Sequence, residues 1–330
     1  MTRSKRPLPG TVRIAVDLLG GDRAPAVVVD GALLACGADP DLRLLLVGPQ
    51  RLADEAIDTL PAAYRDRVRV RSAGQVVGMG AGPMHAARPD TTVNSAVSAV
   101  AAGEADAVVS AGASGGTVTA AVLELGRFVR RPALAATLPG LAGPVVLLDV
   151  GASVDPSPAV LQQHAMLGAE YARIVLDLAR PRIGLLSIGT EPGKGDRWRR
   201  AAYGRLSELA MPGGAEFVGN VEGFDVTLGE RADVVVTDGF TGNVLLKGIE
   251  GAYALAGGQM SAETAPRAAA LLGVSGTVVV CHGAAGGPDI ASGLALAARL
   301  HRIGALARLA PTSPAPNVAA ARAADSEETA

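Results

Sequence analysis

Two short runs concentrate the side chains that could do chemistry. "VVVTDGFTGNV", residues 234–244, follows three valines with Asp238, Gly239, Gly242 and Asn243, and "GTEPGKGD", residues 189–196, sets Lys194 among glycines. An acid, an amide and a cation at glycine-rich turns suit a small anionic ligand. Backbone N–H groups at a helix start attract negative charge, and glycine lets a ligand approach them closely. Asp238 could accept a proton, hold a nucleophile or simply cap the helix that begins near Thr241. Asn243 could donate to an anion, and Lys194 could face that anion or remain an ordinary solvated loop lysine.

The pattern recurs along the chain. "AVDLLGGDRAP" (15–25) offers Asp17, Gly20, Gly21 and Asp22, "VVSAGASGGTV" (108–118) offers Gly112, Ser114 and Gly115, and "LLDVGASVDPSP" (147–158) repeats the style. "EFVGNVEGFD" (216–225) adds Asn220 and Glu222, and "VVCHGAAGGPD" (279–289) adds His282 and Gly283. Helix-start amides after Gly112, Gly239 and Gly283 could bind a phosphate or an oxyanion. Asp17 and Asp22 suit positioning turns and water better than attack. His282 could carry a proton, donate to an oxyanion or pack within its turn. One glycine-rich turn is ordinary in any α/β fold; several that also carry Asp, Asn, Lys or His argue for a shared site.

Other chemistries are poorly supplied. Neither GxxxxGK[ST] nor GxGxxG occurs. Cys281 at a strand end could be a nucleophile, although a thiol there is more often packing. Histidines 85, 164, 282 and 301 show no ligand spacing, so neither metal nor cofactor is expected. Mg²⁺ bridging a phosphate to Asp17, Asp22, Asp155 or Asp238 stays open.

The elements that must position these residues follow from hydrophobic patterning. "TVRIAVD" (11–17) and "LRLLLVG" (42–48) read as buried strands joined by a helix over 24–38. Further strands are predicted at 67–71, 106–111, 133–138, 145–150, 182–188, 215–218, 232–237 and 277–281, with helices at 91–103, 116–129, 157–177, 197–210, 241–256 and 288–304. "LPGLAGP" (138–144) reads as a turn between adjacent strands. Such alternation predicts a three-layer αβα fold with a mostly parallel sheet, whose strand carboxyl ends open on one ligand-binding edge. Residues 11–305 are expected to form one α/β domain, or two lobes, between flexible tails at 1–10 and 306–330. Hydrophobic residues make up 49% of the 330, yet aromatics only 3%, so the core must be Ala, Val and Leu. A net charge of −2 gives no case for nucleic acid. Two cysteines, and no export signal in view, predict reduced thiols and a cytoplasmic protein.

Taken together, "IAVDLLGGDRAPAVVVDGALLA", "ADAVVSAGASGGTVTAAVLELGR", "LLDVGASVD", "IGLLSIGTEPGKGD", "EFVGNVEGFDV", "ADVVVTDGFTGNVLLKGIEG" and "LLGVSGTVVVCHGAAG" stand in an order that resembles the bacterial phosphate acyltransferase (PlsX) family, over roughly 11–305. The resemblance implies a fold of the phosphate acetyltransferase and isocitrate/isopropylmalate dehydrogenase type, and a homodimer. It also implies transfer of an acyl group from acyl carrier protein to inorganic phosphate, giving acyl phosphate for phospholipid synthesis. Direct attack by phosphate on the thioester needs no covalent acyl-enzyme. The site it implies gathers Lys194, Asp238, Asn243 and His282 with the glycine loops named above.

Three departures accompany the resemblance. Ala113, Ser114 and Gly115 stand where the family usually has Asn-Thr-Gly, and "RPDTTVN" (88–94) replaces a Lys-Asp-Ser-Ser-like run. The segment 252–270 is short and gives no defensible amphipathic face, so membrane contact is not expected. Alternatives therefore stay in view: an acyltransferase of specialised metabolism using acyl-CoA or another carrier or acceptor, a non-catalytic homologue that binds acyl carriers, or a dehydrogenase on the same fold.

Overall fold

The computed structural model describes residues 10–74, 82–86, 88–255 and 268–310. Among them the strands are β1 (Val12–Asp17), β2 (Leu42–Gly48), β3 (Val68–Ser72), β4 (Ala107–Ser110), β5 (Ala133–Pro139), β6 (Pro144–Leu148), β7 (Arg182–Leu186), β8 (Glu216–Val221), β9 (Val234–Val236), β10 (Ala268–Leu272) and β11 (Thr277–Cys281). The chain divides into two compact units. The first takes in the chain up to Leu125 with 268–271 and 276–306, and the second runs from Gly126 to 255 with 272–275 and 307–310.

In the first unit the strand order is β3-β2-β1-β4-β11-β10, parallel except for antiparallel β10 and β11. Strands β4 and β11 are buried along their whole length, the mark of a sheet covered on both faces. Helix Ala26–Ala38 makes the crossover from β1 to β2 and packs on helix Gly287–Arg302, while helix Thr92–Ala101 packs on helix Ser114–Leu125. The β-branched run of β1 ends at Asp17, so the chain leaves the sheet carrying a carboxylate at its edge.

The second unit has the order β5-β6-β9-β7-β8. Strands β5 and β6 form the antiparallel pair expected around "LPGLAGP", closed where Gly140 N–H donates to the Gly143 carbonyl at 3.0 Å. The other neighbours are parallel. Helix Pro158–Val175 lies against β6, β7 and β9, and helix Arg197–Ser207 packs on it. Helix Gly239–Leu255 leaves the end of β9.

The mixed α/β architecture is the one that the alternating pattern predicts, with helix Gln50–Thr59 and several short helices added to those expected. Strand β10, "AAALL", falls partly within a segment from which no strand is expected, because alanine and leucine carry no strand preference. Pairing to β11 overrides that neutrality. Helix Ala305–Leu309 extends past the expected boundary at 305, whereas 1–9, 311–330 and most of 252–270 lie outside the described residues. The core is built from small aliphatics, with Tyr171 the largest wholly buried side chain. No helix among the described residues is long and apolar enough to cross a membrane.

Candidate active site

In the first unit, three carboxyl-end loops meet beside β1. Asp17 is buried, and its Oδ2 accepts from Ser110 Oγ at 2.7 Å; that hydroxyl in turn accepts from Gly112 N–H at 3.0 Å. Thr92, at the start of its helix, also donates to the Asp17 carboxylate, as does Leu19 N–H at 3.4 Å. One carboxylate thus ties the loops after β1 and β4 to a helix start. A Cβ on Gly20 would stand 2.6 Å from Asp17 Oδ2 and 2.8 Å from Gly112 N, so only glycine permits this approach. The β11 loop joins through Asp22 N–H donating to the Gly283 carbonyl at 2.8 Å and Arg23 Nη2 to the Ala284 carbonyl at 2.9 Å.

Beside Asp17 is a pocket lined by Leu19, Gly20, Thr92, Val93, Gly112, Ala113 and Thr117. Its cavity volume is about 10 Å³, about the room that one water needs. Burial pushes the Asp17 carboxyl above its ordinary value against the pull of its hydrogen bonds. Ser114 is half-buried and Gly115 exposed at the start of helix Ser114–Leu125. His282 is half-buried, and its carbonyl accepts from Ala285 N–H at 3.0 Å.

The second unit gathers Asp238, Gly239, Gly242 and Asn243 against the loop after β6. Asp149 anchors that loop. Its Oδ1 accepts from the N–H groups of Leu134 (2.9 Å), Gly151 (3.1 Å) and Ala152 (2.9 Å), and its Oδ2 from Ser153 N–H at 2.5 Å. Helix Gly239–Leu255 starts flush with it: Gly239 N–H donates to the Ser153 carbonyl at 2.7 Å and Asn243 Nδ2 to the Val150 carbonyl at 2.9 Å. Thr241 N–H donates to Asp238 Oδ1 at 2.7 Å and Gly242 N–H to the Asp238 carbonyl at 2.9 Å. These N–H groups hold the helix start together instead of pointing at a ligand.

Asp238 is engaged on both oxygens. Its Oδ2 accepts from Thr241 Oγ1 at 2.7 Å and from Arg199 Nη2 at 2.5 Å. Burial alone would raise this carboxyl, but the Thr241 N–H and hydroxyl and the Arg199 guanidinium hold it below the ordinary value. A carboxylate so satisfied is a weak proton acceptor. Arg199 also donates to the Leu186 carbonyl at 3.0 Å, to Thr241 Oγ1 at 3.2 Å and to Thr237 Oγ1 at 3.3 Å, and pairs with Asp196.

Lys194 is exposed in the loop between β7 and helix Arg197–Ser207, where its N–H closes a turn on the Glu191 carbonyl at 3.0 Å. Asn220, buried in β8, steadies that turn by donating to the Glu191 carbonyl at 2.8 Å. Glu222 is half-buried and its N–H donates to Asp225 Oδ2 at 2.8 Å. The predicted residues thus fall into one cluster per unit. Sequence reasoning passed over Ser110, Thr92, Asp149 and Arg199. Ser110 and Asp149 lie inside quoted cassettes, while nothing local distinguishes Arg199 in "RWRR". Among the described residues no three His, Cys, Asp or Glu side chains gather to hold a metal.

Beneath the Asp149 loop, His164 is wholly buried, with Nε2 3.3 Å from the Arg131 carbonyl. Burial lowers its pKa against the raising pull of Asp149 and of the Arg131 carbonyl. The folded state therefore binds this proton less readily than the unfolded one. His164 stabilises above its ordinary value of 6.5 and loses that contribution as pH falls. Between about pH 7.5 and about pH 5.5 the urea midpoint should drop more steeply in the wild type than in His164→Gln. Equal slopes would remove His164 from the acid response.

Fold comparison gives the class. The chain is similar to the EutD phosphotransacetylase from Staphylococcus aureus, with a TM-score of 0.57 at 16% identity, covering 88% of this chain and 94% of that one. It is similar too to a branched-chain phosphotransacylase from Enterococcus faecalis V583, with a TM-score of 0.56 at 17% identity over 87% and 99% of the two chains. These likenesses establish the αβα fold type.

Sequence comparison is more particular. The "Fatty acid synthesis protein" family profile matches residues 12–270. A phosphate acyltransferase from Thermobifida fusca is 39% identical over 332 residues, covering 90% of each chain. One from Desulfitobacterium hafniense (strain DSM 10664 / DCB-2) is 44% identical over 246 residues, 73% of this chain and 71% of its own. The chain belongs to this family, the bacterial phosphate acyltransferases that its cassettes resemble.

Proposed function

We propose that the chain transfers an acyl group from acyl carrier protein to inorganic phosphate, in the cytoplasm and as a homodimer, giving acyl phosphate for phospholipid synthesis. The family match along 12–270 carries this reading. A phosphate oxygen attacks the thioester carbonyl carbon, the C–O bond forms as the C–S bond breaks, and the proton of hydrogen phosphate ends on the departing sulfur. Phosphate then needs orientation and a stabilised oxyanion more than it needs a base.

The residues divide accordingly. Ser114 and Gly115, at the start of helix Ser114–Leu125, offer N–H groups to the anion beside Asp17, and Gly20, Gly21 and Gly112 leave room for it. The Asp17 carboxyl holds the Ser110 hydroxyl that receives Gly112 N–H. Asp22, His282 and Gly283 form the neighbouring wall. In the second unit Lys194 offers an exposed positive charge on the loop that Asn220 fixes, with Glu222 on the loop after β8. Asp238, Gly239, Gly242 and Asn243 hold the helix start rigid, and Asp238 is bound too firmly by Arg199 to serve as base.

The test incubates hexadecanoyl-acyl carrier protein and hexadecanoyl-CoA separately with and without phosphate, trapping acyl phosphate as hydroxamate. Phosphate-dependent product from the carrier substrate supports the reading. Product only from the CoA thioester assigns a different donor, and carrier binding without product makes the chain a non-catalytic homologue.

The same assay decides the role of the thiol. Cys281 is wholly buried, and burial, with Asp289 adding, pushes it up to about 12, where no thiolate is available at neutral pH. Cys281→Ala should keep phosphate-dependent turnover within about twofold of wild type. Abolished turnover in a variant with unchanged melting would place an acyl-thiol step in the reaction.

A further inference from the structure

We propose that the exposed surface of residues 188–205 docks the acidic surface of the carrier protein that presents the acyl thioester. This rests on the function proposed above only for the identity of that partner. Within 188–205 the chain places Lys194, Arg197, Arg199, Arg200 and Arg205 against Glu191 and Asp196, in a protein whose net charge is −2. Lys194, Arg197, Arg200 and Arg205 are all exposed.

The placement of that charge runs against the local helix. Arg197, Arg199 and Arg200 lie in the first turn of helix Arg197–Ser207, at the positive end of its dipole; Asp196 caps that turn and, with Asp238, pairs Arg199, while Arg200 Nη1 donates to the Gly195 carbonyl at 2.6 Å. Helices prefer acids there, so these arginines oppose the stability of their own element. Conflicts of this kind mark places held for binding. A negatively charged partner relieves it.

Apolar surface accompanies the charge. Ile188 is 81% exposed and Trp198 37%, and the Arg197 guanidinium lies over the Trp198 ring, 4.4 Å from its centre. Trp and Arg are the side chains on which protein interfaces most often depend, and charge around them speeds encounter. The face is also joined to the candidate site: Arg199, in the same turn, reaches Asp238 at 2.5 Å, and the Lys194 loop precedes it. Exposed cations spread over 188–205 beside exposed apolar side chains fit a protein surface better than one nucleotide phosphate.

The test uses the full chain with Arg197→Glu and Arg200→Glu combined. Binding of fluorescently labelled hexadecanoyl-acyl carrier protein is followed by anisotropy at low and moderate salt, so the readout does not require turnover. We expect affinity to fall at least tenfold and its salt dependence to flatten, with melting temperature near wild type. Phosphate-dependent turnover of a hexadecanoyl N-acetylcysteamine thioester should be unchanged. Unaltered carrier binding overturns the proposal, as does a loss confined to hexadecanoyl-CoA or to vesicles of anionic phospholipid. If the wild type binds carrier through these arginines yet forms no acyl phosphate, the docking face stands and the proposed reaction falls.

Discussion

Arg199→Ala should strongly destabilise the second unit. The guanidinium contacts Asp238, Asp196, Thr237, Thr241 and the Leu186 carbonyl, joining the end of β7 and helix Arg197–Ser207 to the start of helix Gly239–Leu255. Its side chain is 16% exposed and that of Asp238 14%, so removal strands a carboxylate that solvent barely reaches. Breaking a pair at this depth costs about 2–4 kcal/mol, well above the value of a surface ion pair. Urea unfolding at neutral pH reads the loss directly. Arg199→Lys should recover only part of it, because an ammonium cannot span five acceptors.

The pH dependence gives a second, independent reading. Asp238 has a depressed folded value, so it stabilises above its ordinary 3.8 and loses that contribution as pH falls through the folded value. Without Arg199 that depression shrinks, and acid unfolding should begin at a higher pH. The Arg199→Ala and Asp238→Asn pair should show a coupling of about 1–3 kcal/mol in a double-mutant cycle. Additive effects, or a single variant within about 0.5 kcal/mol of wild type, would reduce this contact to a surface pair.

What the sequence made visible was local, and what it hid was distant. The strand–turn–helix cassettes are legible because a hydrophobic run, a polar terminus and glycines adjoin one another, as at Asp17–Asp22. The "LPGLAGP" turn is legible for the same reason. The Asp17–Ser110 bond spans 93 positions and the Arg199–Asp238 pair 39, and no spacing rule connects such partners. Asp238 illustrates the limit. Its residue type and place suggest a base, a ligand holder or a cap, and the arginine that engages it arrives from another helix. Strand β10 was hidden because its composition is neutral and its partner β11 supplies the preference.

Gly242→Ala tests the closest backbone approach in the second unit. A Cβ there would overlap the Asp149 carbonyl oxygen and come within 2.9 Å of Thr237 Cγ2. The carbonyl cannot retreat, because Asp149 is fixed by the N–H groups of Leu134, Gly151, Ala152 and Ser153. The helix must move instead, parting Gly239 N–H from Ser153 and Asn243 Nδ2 from the Val150 carbonyl. Alanine favours helix by about 1 kcal/mol, but forced overpacking costs about 1–3 kcal/mol and the two lost hydrogen bonds about 1 kcal/mol each. The clash wins, and Gly242→Ala should unfold at clearly lower urea. Gly248→Ala, in the same helix with nothing near its added carbon, should instead stabilise by about 0.5–1 kcal/mol. Because the displaced helix start carries Asp238 and Asn243, kcat/KM for phosphate should fall about tenfold or more in Gly242→Ala and stay unchanged in Gly248→Ala. Equal behaviour of the two variants would mean that the Asp149 loop yields, and that the rigidity assigned to this helix start is not needed for the reaction.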